Sequence, residues 1–455
     1  MTSLLQRFLN VRREEIAPLL VAAFYFFCVL TALMVLRPAR DAIGMEGGLD
    51  AVRWLFIGTA LVTLAVNPMF GWLVSRFRRL VFITATYTFF AISLAGFYML
   101  IALAPEAVGQ TSGRVFYIWF SVFNLFSTMV FWALMADRFT LDQSKRLFGV
   151  IAVGGTLGAI FGPWLASMLA VPLGTPALLL VAAAFLALAV VASWMVAWLQ
   201  PERQRTGADA SAGQPADDRT VIGGSAWAGL QASFRSPYLL GISTYILLLT
   251  VTGTFIYFTR LQMVAALGDD TDLRATVFAQ LDLITQTTTM LLQFAVAGHL
   301  MKRLGVSVAL ALLPVIVSLG FLGLAIVASF TALIVFDATF RAIQRAITRP
   351  ARETLFTVIS REDKYKSKAF TDTFVYRGGD VLGAWTEGLL GRLGMALVGL
   401  ASVAVPLAVG WAVLGLWLGR RQDTMASAAA TLQADMPAAR QSNVAHPARP
   451  GTALH

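Results

Sequence analysis

The chain is poor in charge, histidine and cysteine, and each scarcity closes a class of function. Only 13% of its 455 residues are charged, where soluble domains carry roughly 25%. A soluble globular fold is therefore a poor reading. The single cysteine, Cys28, excludes an intrachain disulfide and makes a cysteine-based metal site untenable. Three histidines, His299, His446 and His455, are too few and too scattered for a zinc cluster. No Walker loop, catalytic triad or metal motif is present, so neither an enzyme nor a cofactor is expected.

Apolar residues take the place of the missing charge. They make up 58% of the chain, with a mean hydropathy of +0.72. They gather in about twelve stretches near 20 residues long, the length that spans a bilayer as a helix. The spacing predicts spans over 16–37, 51–74, 80–103, 114–137, 149–171 and 176–199, then 237–259, 276–300, 306–328, 330–349, 369–390 and 396–418. The first run is too long for a signal-peptide core and ends in charges, so no cleaved leader is expected. Residues 1–15 read as a short interfacial helix.

Basic residues recur in alternate loops. They stand before the first span (Arg7, Arg12, Arg13) and after the second (Arg76, Arg78, Arg79), fourth (Lys145, Arg146), sixth, eighth (Lys302, Arg303), tenth and twelfth (Arg420, Arg421). Lys and Arg beside spans mark the cytoplasmic side. This placement accounts for the formal net charge of +10 without a nucleic-acid partner. Both termini are expected in the cytoplasm, in a bacterial cytoplasmic membrane, and the chain as a monomer.

The expected organisation is a six-helix half (1–200), a cytoplasmic linker with a possible surface helix (201–236), a second six-helix half (237–420) and a disordered tail (421–455). The linker is rich in Gly, Ala, Ser, Pro and Asp. The halves echo each other. Gly71–Arg79 follows span two as Gly298–Arg303 follows span eight, and Gly154-Gly155 in span five matches Gly378-Gly379 in span eleven. Small residues at Gly154, Gly158 and Gly162 would let a neighbouring helix approach closely.

Ionisable groups at membrane depth are costly and usually face a cavity or one another. Span one ends in Arg37-Pro38-Ala39-Arg40-Asp41, and span four in Asp137-Arg138. Span eight carries Asp282 beside Gln286; span ten carries Asp337, Arg341, Arg345 and Arg349; span eleven carries Asp372, Arg377, Asp380 and Glu387. Two readings stand for these groups. The guanidinium groups could hold a phosphate or carboxylate, or they could only neutralise Asp337 and a carboxylate facing Arg377. Asp282 has no same-helix partner and could be a proton or counter-ion site. Arg40 and Asp41 could equally be interfacial.

The two-half plan is that of the major facilitator superfamily. Gly71-Trp-Leu-Val-Ser-Arg-Phe-Arg-Arg79 resembles its G-x-x-x-D-R-x-G-R-R loop, with Ser75 for the Asp and Phe77 for the second Gly. Several segments together resemble the nucleotide transporter family of ATP:ADP antiporters, plastidic and intracellular-parasite type. Leu36-Arg37-Pro38-Ala39-Arg40-Asp41 resembles its L-R-x-x-K-D. Phe131-Trp132, Asp137 and Ser144–Leu147 resemble its fourth-span pattern. Lys366–Asp372 resembles its K-x-K-A-x-I-D. The chain departs where the family has a functional Glu in span seven, here Thr254, and a Lys in span eleven, here Asp380.

The fold class expected is an all-α polytopic membrane protein, major-facilitator-like, working as a secondary transporter of a small anionic metabolite. Nucleotide exchange is one form of that. The resemblance implies Arg40 and Asp137 as substrate-binding, then Arg377; depth in the membrane adds Arg341 and Arg345. Asp41, Asp282, Asp337 and Asp380 form a coupling or charge network. Two alternatives remain: a proton-coupled carrier or exporter with Asp137 or Asp282 titrating, and a non-transporting membrane scaffold or sensor.

Overall fold

The structure, a computed structural model, describes residues 11–76, 79–104, 106–200, 234, 236–293, 298–395 and 397–434. Most of the expected interfacial helix and linker lies outside the described residues. What is described is helical almost throughout. The first six helices are α1 (Ile16–Gly44), α2 (Gly48–Arg76), α3 (Arg79–Ala102), α4 (Glu106–Arg138), α5 (Leu141–Leu173) and α6 (Ala177–Leu199). The second six begin with α7 (Pro237–Ala265), α8 (Thr271–Leu292) and α9 (Gly298–Ile326). They close with α10 (Phe330–Ile343, a π turn Gln344–Thr348, then Arg349–Thr354), α11 (Arg361–Phe370, a π turn Thr371–Val375, then Tyr376–Arg392) and α12 (Leu397–Ala434).

Local chemistry sets several ends. Thr140 caps α5 with its hydroxyl on the Gln143 N–H, and Gln143 answers on the Thr140 N–H, a closed capping box. Ser236, Asp270 and Ser329 cap α7, α8 and α10. Two ends correct the sequence reading. Helix α1 runs to Gly44, not 37, so Arg40 and Asp41 are helical and Asp41 is buried. Helix α12 runs to Ala434, through the first part of the tail read as disordered. Its alanine-rich sequence has high helix propensity.

Nine helices among the described residues are long and apolar enough to cross a bilayer, and α8, α10 and α11 are not among them. These three carry Asp282, Asp337, Arg341, Arg345, Arg377 and Asp380. Helices α8 and α11 are more polar, and the first segment of α10 runs only 14 residues before its π turn. Outward, side chains such as Phe89, Ile92, Val191, Trp194 and Val413 are exposed, as helices facing lipid require.

Within the first half α1 packs most extensively on α5, and within the second α9 packs most extensively on α12. A Cβ on Gly154 would sit 2.2 Å from the Ala23 carbonyl oxygen, and one on Gly158 2.4 Å from that of Phe27. Only glycine admits this approach of backbone to backbone.

Between halves, α5 and α1 pack on α8, and α2 on α11. Polar contacts join the halves at one end, around a cavity of about 710 Å³ lined by Glu46, Glu106, Thr271, Asp272 and Arg274. The Thr175 N–H donates to Asp272 at 2.6 Å, Thr271 donates to Glu46 at 3.2 Å, and Arg53 pairs with Glu387 at 2.7 Å. Gln262 also donates to Glu387, and Trp54 meets Trp385 edge to face. This is the end poor in basic loops. Toward the opposite end a cavity opens between the halves.

Candidate functional site

The cavity has two connected parts. An inner chamber of about 270 Å³ is lined by Arg37 and Arg40 of α1, Tyr117 of α4, Tyr257 of α7, Arg341 and Arg345 of α10, and Arg377 and Asp380 of α11. A wider vestibule of about 840 Å³ shares Arg37, Arg40 and Arg345 with it and continues past Arg349, Arg352 and Lys368. The path from chamber to basic end is thus lined with cations.

Local structure explains how the arginines reach it. In α1, Pro38 lies between Arg37 and Arg40, where a missing N–H loosens the helix. In α10, the π turn Gln344–Thr348 widens the helix beneath Arg345. Arg341, Arg345 and Arg349 share a face by i, i+4 spacing, but the π turn inserts a residue's worth of rotation between the last two. Arg341 and Arg345 line the chamber; Arg349 lines only the vestibule.

A buried ionic network closes the chamber's far side. Asp41 accepts from Arg260 at 2.9 Å, from Tyr257 at 2.9 Å and from Arg40 Nε at 2.9 Å. Arg260 reaches Asp282 at 3.4 Å and Asp337 at 3.9 Å. Arg341 pairs with Asp337 at 2.7 Å and approaches Asp282 at 3.8 Å. Arg37 meets Asp282 at 3.5 Å. Arg260 is fully buried and stands over the rings of Tyr257 and Phe278. Four helices, α1, α7, α8 and α10, therefore meet in one network that joins the halves.

The network is unbalanced. Arg37, Arg40, Arg260, Arg341 and Arg345 face Asp41, Asp282 and Asp337, which leaves two positive charges over. Arg345 has no carboxylate within 4 Å among the described residues; it donates to the neutral amide of Gln286. Arg377 and Asp380 pair with each other at 3.5 Å, so they do not change this balance.

Of the residues singled out from sequence, Arg40, Arg341, Arg345 and Arg377 share the chamber with Asp337 and Asp380, and Asp41 and Asp282 lie in the network bordering it. Asp137 does not join them. It stands half-buried at the end of α4 and lines neither part of the cavity. Asp282, without a partner on its own helix, meets three guanidinium groups from others. Arg260 was missed, since it follows the predicted end of span seven at 259. Its signal was an arginine inside an apolar run that continues to Ala265. Arg37 stood in the matched motif but was not separated from it.

At the vestibule mouth Lys368 bonds Glu353 at 2.5 Å. Burial alone would raise the Glu353 carboxyl, but Lys368 and Arg352 outweigh it and hold it below the usual carboxylate range.

The sequence profile of the Major Facilitator Superfamily matches residues 19–347. The chain belongs to this superfamily. Solved structures agree on the fold. The nucleoside transporter NupG superposes with a TM-score of 0.54 at 14% identity, over 90% of this chain and 98% of its own. A POT family transporter in complex with a thioalcohol-conjugated peptide gives 0.62 at 12% identity, over 88% and 96%. A bacterial homologue of the human lysosomal transporter Spinster, inward-facing and unoccupied, gives 0.55 at 12%, over 91% and 97%. A search of curated protein sequences gave no match. The chain is thus a multi-pass membrane protein with the secondary-transporter fold of the major facilitators.

Proposed function

We propose that this major facilitator carries a small anionic metabolite by alternating access, with exchange of one nucleotide for another as its sharpest form. The carrying observation is the surplus of two guanidinium charges around an open chamber, with Arg345 held only by a neutral amide. A guanidinium fork matches phosphate or carboxylate oxygens. Tyr117, Tyr257 and Tyr376 supply amphipathic surface beside it. Substrate binding is assigned to Arg40, Arg341, Arg345 and Arg377, and neutralisation of the remaining charge to Asp41, Asp282 and Asp337.

An open cavity with converging arginines favours a carrier over a scaffold, for which a sealed interior would be expected. The resemblance to nucleotide transporters at Leu36–Asp41 supports the nucleotide form, because Arg37, Arg40 and Asp41 all stand in this site. Thr254 and Asp380 mark where the substrate differs from that family's.

In this reading the basic loops face the cytoplasm, both termini and the linker lie there, and the described conformation is open inward. Alternating access then requires parting Arg53 from Glu387 and Asp41 from Arg260, the pairs that join the halves at and above the chamber. A thermal-shift screen of purified protein against nucleotides, phosphorylated metabolites, dicarboxylates and neutral nucleosides tests the proposal. A ligand of the folded state raises apparent stability with its concentration. Stabilisation by anions and not by nucleosides is the expected result. Stabilisation by neutral compounds alone would reject an anionic substrate.

A further inference from the structure

Four carboxylates line or border the chamber, and three of them are claimed more than once. Asp41 meets Arg40 and Arg260; Asp282 meets Arg37, Arg260 and Arg341; Asp337 meets Arg260 and Arg341. Their side chains are at most 2% exposed. Asp380 differs on both counts. Among the described residues the one cation within 4 Å of it is Arg377, at 3.5 Å, one turn away on the same helix. The Asp380 side chain is 22% exposed and that of Arg377 29%, and both line the chamber.

The surroundings bring this pair no further cation among the described residues, although Thr254 of α7 donates a hydrogen bond to the Asp380 carboxylate. Helix α7 packs directly on this turn, because Gly379 and Gly383 admit Thr250 and Val251 where a Cβ would clash. It brings Thr254 and Tyr257 to the chamber, while its Arg260 is taken by three aspartates. Helix α2 brings Thr59, and its Arg53 is held by Glu387. Helix α12 places no residue in the chamber lining. Across the chamber stand Arg37 and Arg40 of α1, Tyr117 of α4, and Arg341 and Arg345 with Asp337 of α10.

We infer that Asp380 is the proton-binding group of a proton–anion symport, and that Arg377 is the switch coupling the two. The inference rests on the anion reading above and takes symport, not nucleotide exchange, as the mode of transport. In the empty chamber Arg377 and Asp380 neutralise each other. An entering anion competes for Arg377. As the guanidinium turns to it, Asp380 is left as a carboxylate at membrane depth without a counter-ion, a costly state. A proton from water in the chamber then binds a carboxylate oxygen of Asp380 and removes that cost. Anion and proton favour each other's binding, and the linkage is reciprocal. Asp41, Asp282 and Asp337 cannot serve, since each keeps a second guanidinium when one is drawn away.

The test uses the purified full chain with sulfate as probe, because sulfate stays dianionic from about pH 5.5 to about pH 8 while carboxyl groups with shifted affinity titrate there. Sulfate affinity, read by thermal stabilisation, should tighten as pH falls, by up to about tenfold per pH unit for one linked proton. In unbuffered solution, adding sulfate should draw protons from the medium, read with a pH dye. Asp380→Asn should bind sulfate with an affinity independent of pH and take up no proton. Should the single variant not fold, Asp380→Asn with Arg377→Gln removes the pair together and is expected to lose proton uptake likewise. Wild-type sulfate binding without pH dependence or proton uptake overturns the coupling and leaves the anion reading standing. Coupling that survives in either variant overturns the assignment to Asp380. Absence of sulfate binding at every pH overturns the anion reading and this inference with it.

Discussion

In the first half, α5 lays Gly154 and Gly158 on the backbone of α1 at Ala23 and Phe27; in the second, α11 lays Gly379 and Gly383 on α7 at Thr250 and Val251. The same device, two glycines four residues apart, joins the equivalent helices of both halves. Charge is distributed otherwise. In the first half the chamber and its network draw charge from α1 alone, as Arg37, Arg40 and Asp41. In the second they draw on α7, α8, α10 and α11. Two π turns in the second half contain Arg345 and Asp372. The comparison separates two jobs. Close packing without a hydrophobic drive between helices needs small residues, so it recurs wherever the fold repeats. Buried charge is expensive, so it persists only where groups answer one another across a cavity. One half supplies a close-packed wall carrying three charges, and the other supplies most of the polar site.

The largest expected effect breaks the join between the two. Arg260→Gln leaves Asp41, Asp282 and Asp337 with fewer cations in a buried setting. A loss of about 3–5 kcal/mol is expected, seen as a collapse of thermal midpoint in detergent. Adding Asp41→Asn should recover part of it. An unchanged midpoint in Arg260→Gln would show that water, not Arg260, compensates these aspartates.

Packing comes next. Gly158→Leu drives a side chain into the α1 backbone and is expected to cost about 3 kcal/mol. Gly383→Leu should cost less, since its Cβ would lie 3.0 Å from the Val251 carbonyl oxygen, against 2.4 Å from that of Phe27 for Gly158. Yield of monodisperse protein and thermal midpoints give the order. The reverse order would mean that the two glycine contacts are not equivalent walls.

The smallest effect on stability is expected at Arg345. Without a carboxylate within 4 Å among the described residues, Arg345→Gln strands no partner charge there. Anion affinity should fall at least tenfold, about 1.4 kcal/mol, while the thermal midpoint holds. A fall in stability, rescued together with anion binding by a charge-removing change at Asp337, would instead make Arg345 a neutralising group.

Much of the fold was legible without coordinates. Apolar runs of bilayer length and alternate basic loops follow from one-dimensional rules, because a lipid solvent constrains each helix separately. The glycine stripe of α5 was legible too, although which helix it meets was not. Site residues were legible only as arginines and aspartates too deep to be ordinary. Arg260 escaped because a charge near a predicted span end reads as interfacial, and Asp137 was included because a local motif matched.

What sequence alone determined here is the membrane, the helical fold and the presence of unusual buried charge. Each depends on composition and spacing along the chain. What tertiary structure decided is partnership. Asp41 meets an arginine 219 positions away, Asp282 is answered by α1, α7 and α10, and Asp380 has Arg377 as its one cation within 4 Å among the described residues. Pairing depends on distances between helices that are remote in the chain, and on a low-dielectric interior that makes each unpaired group costly. The surplus at Arg345 and the single cation at Asp380 exist only once those distances are set.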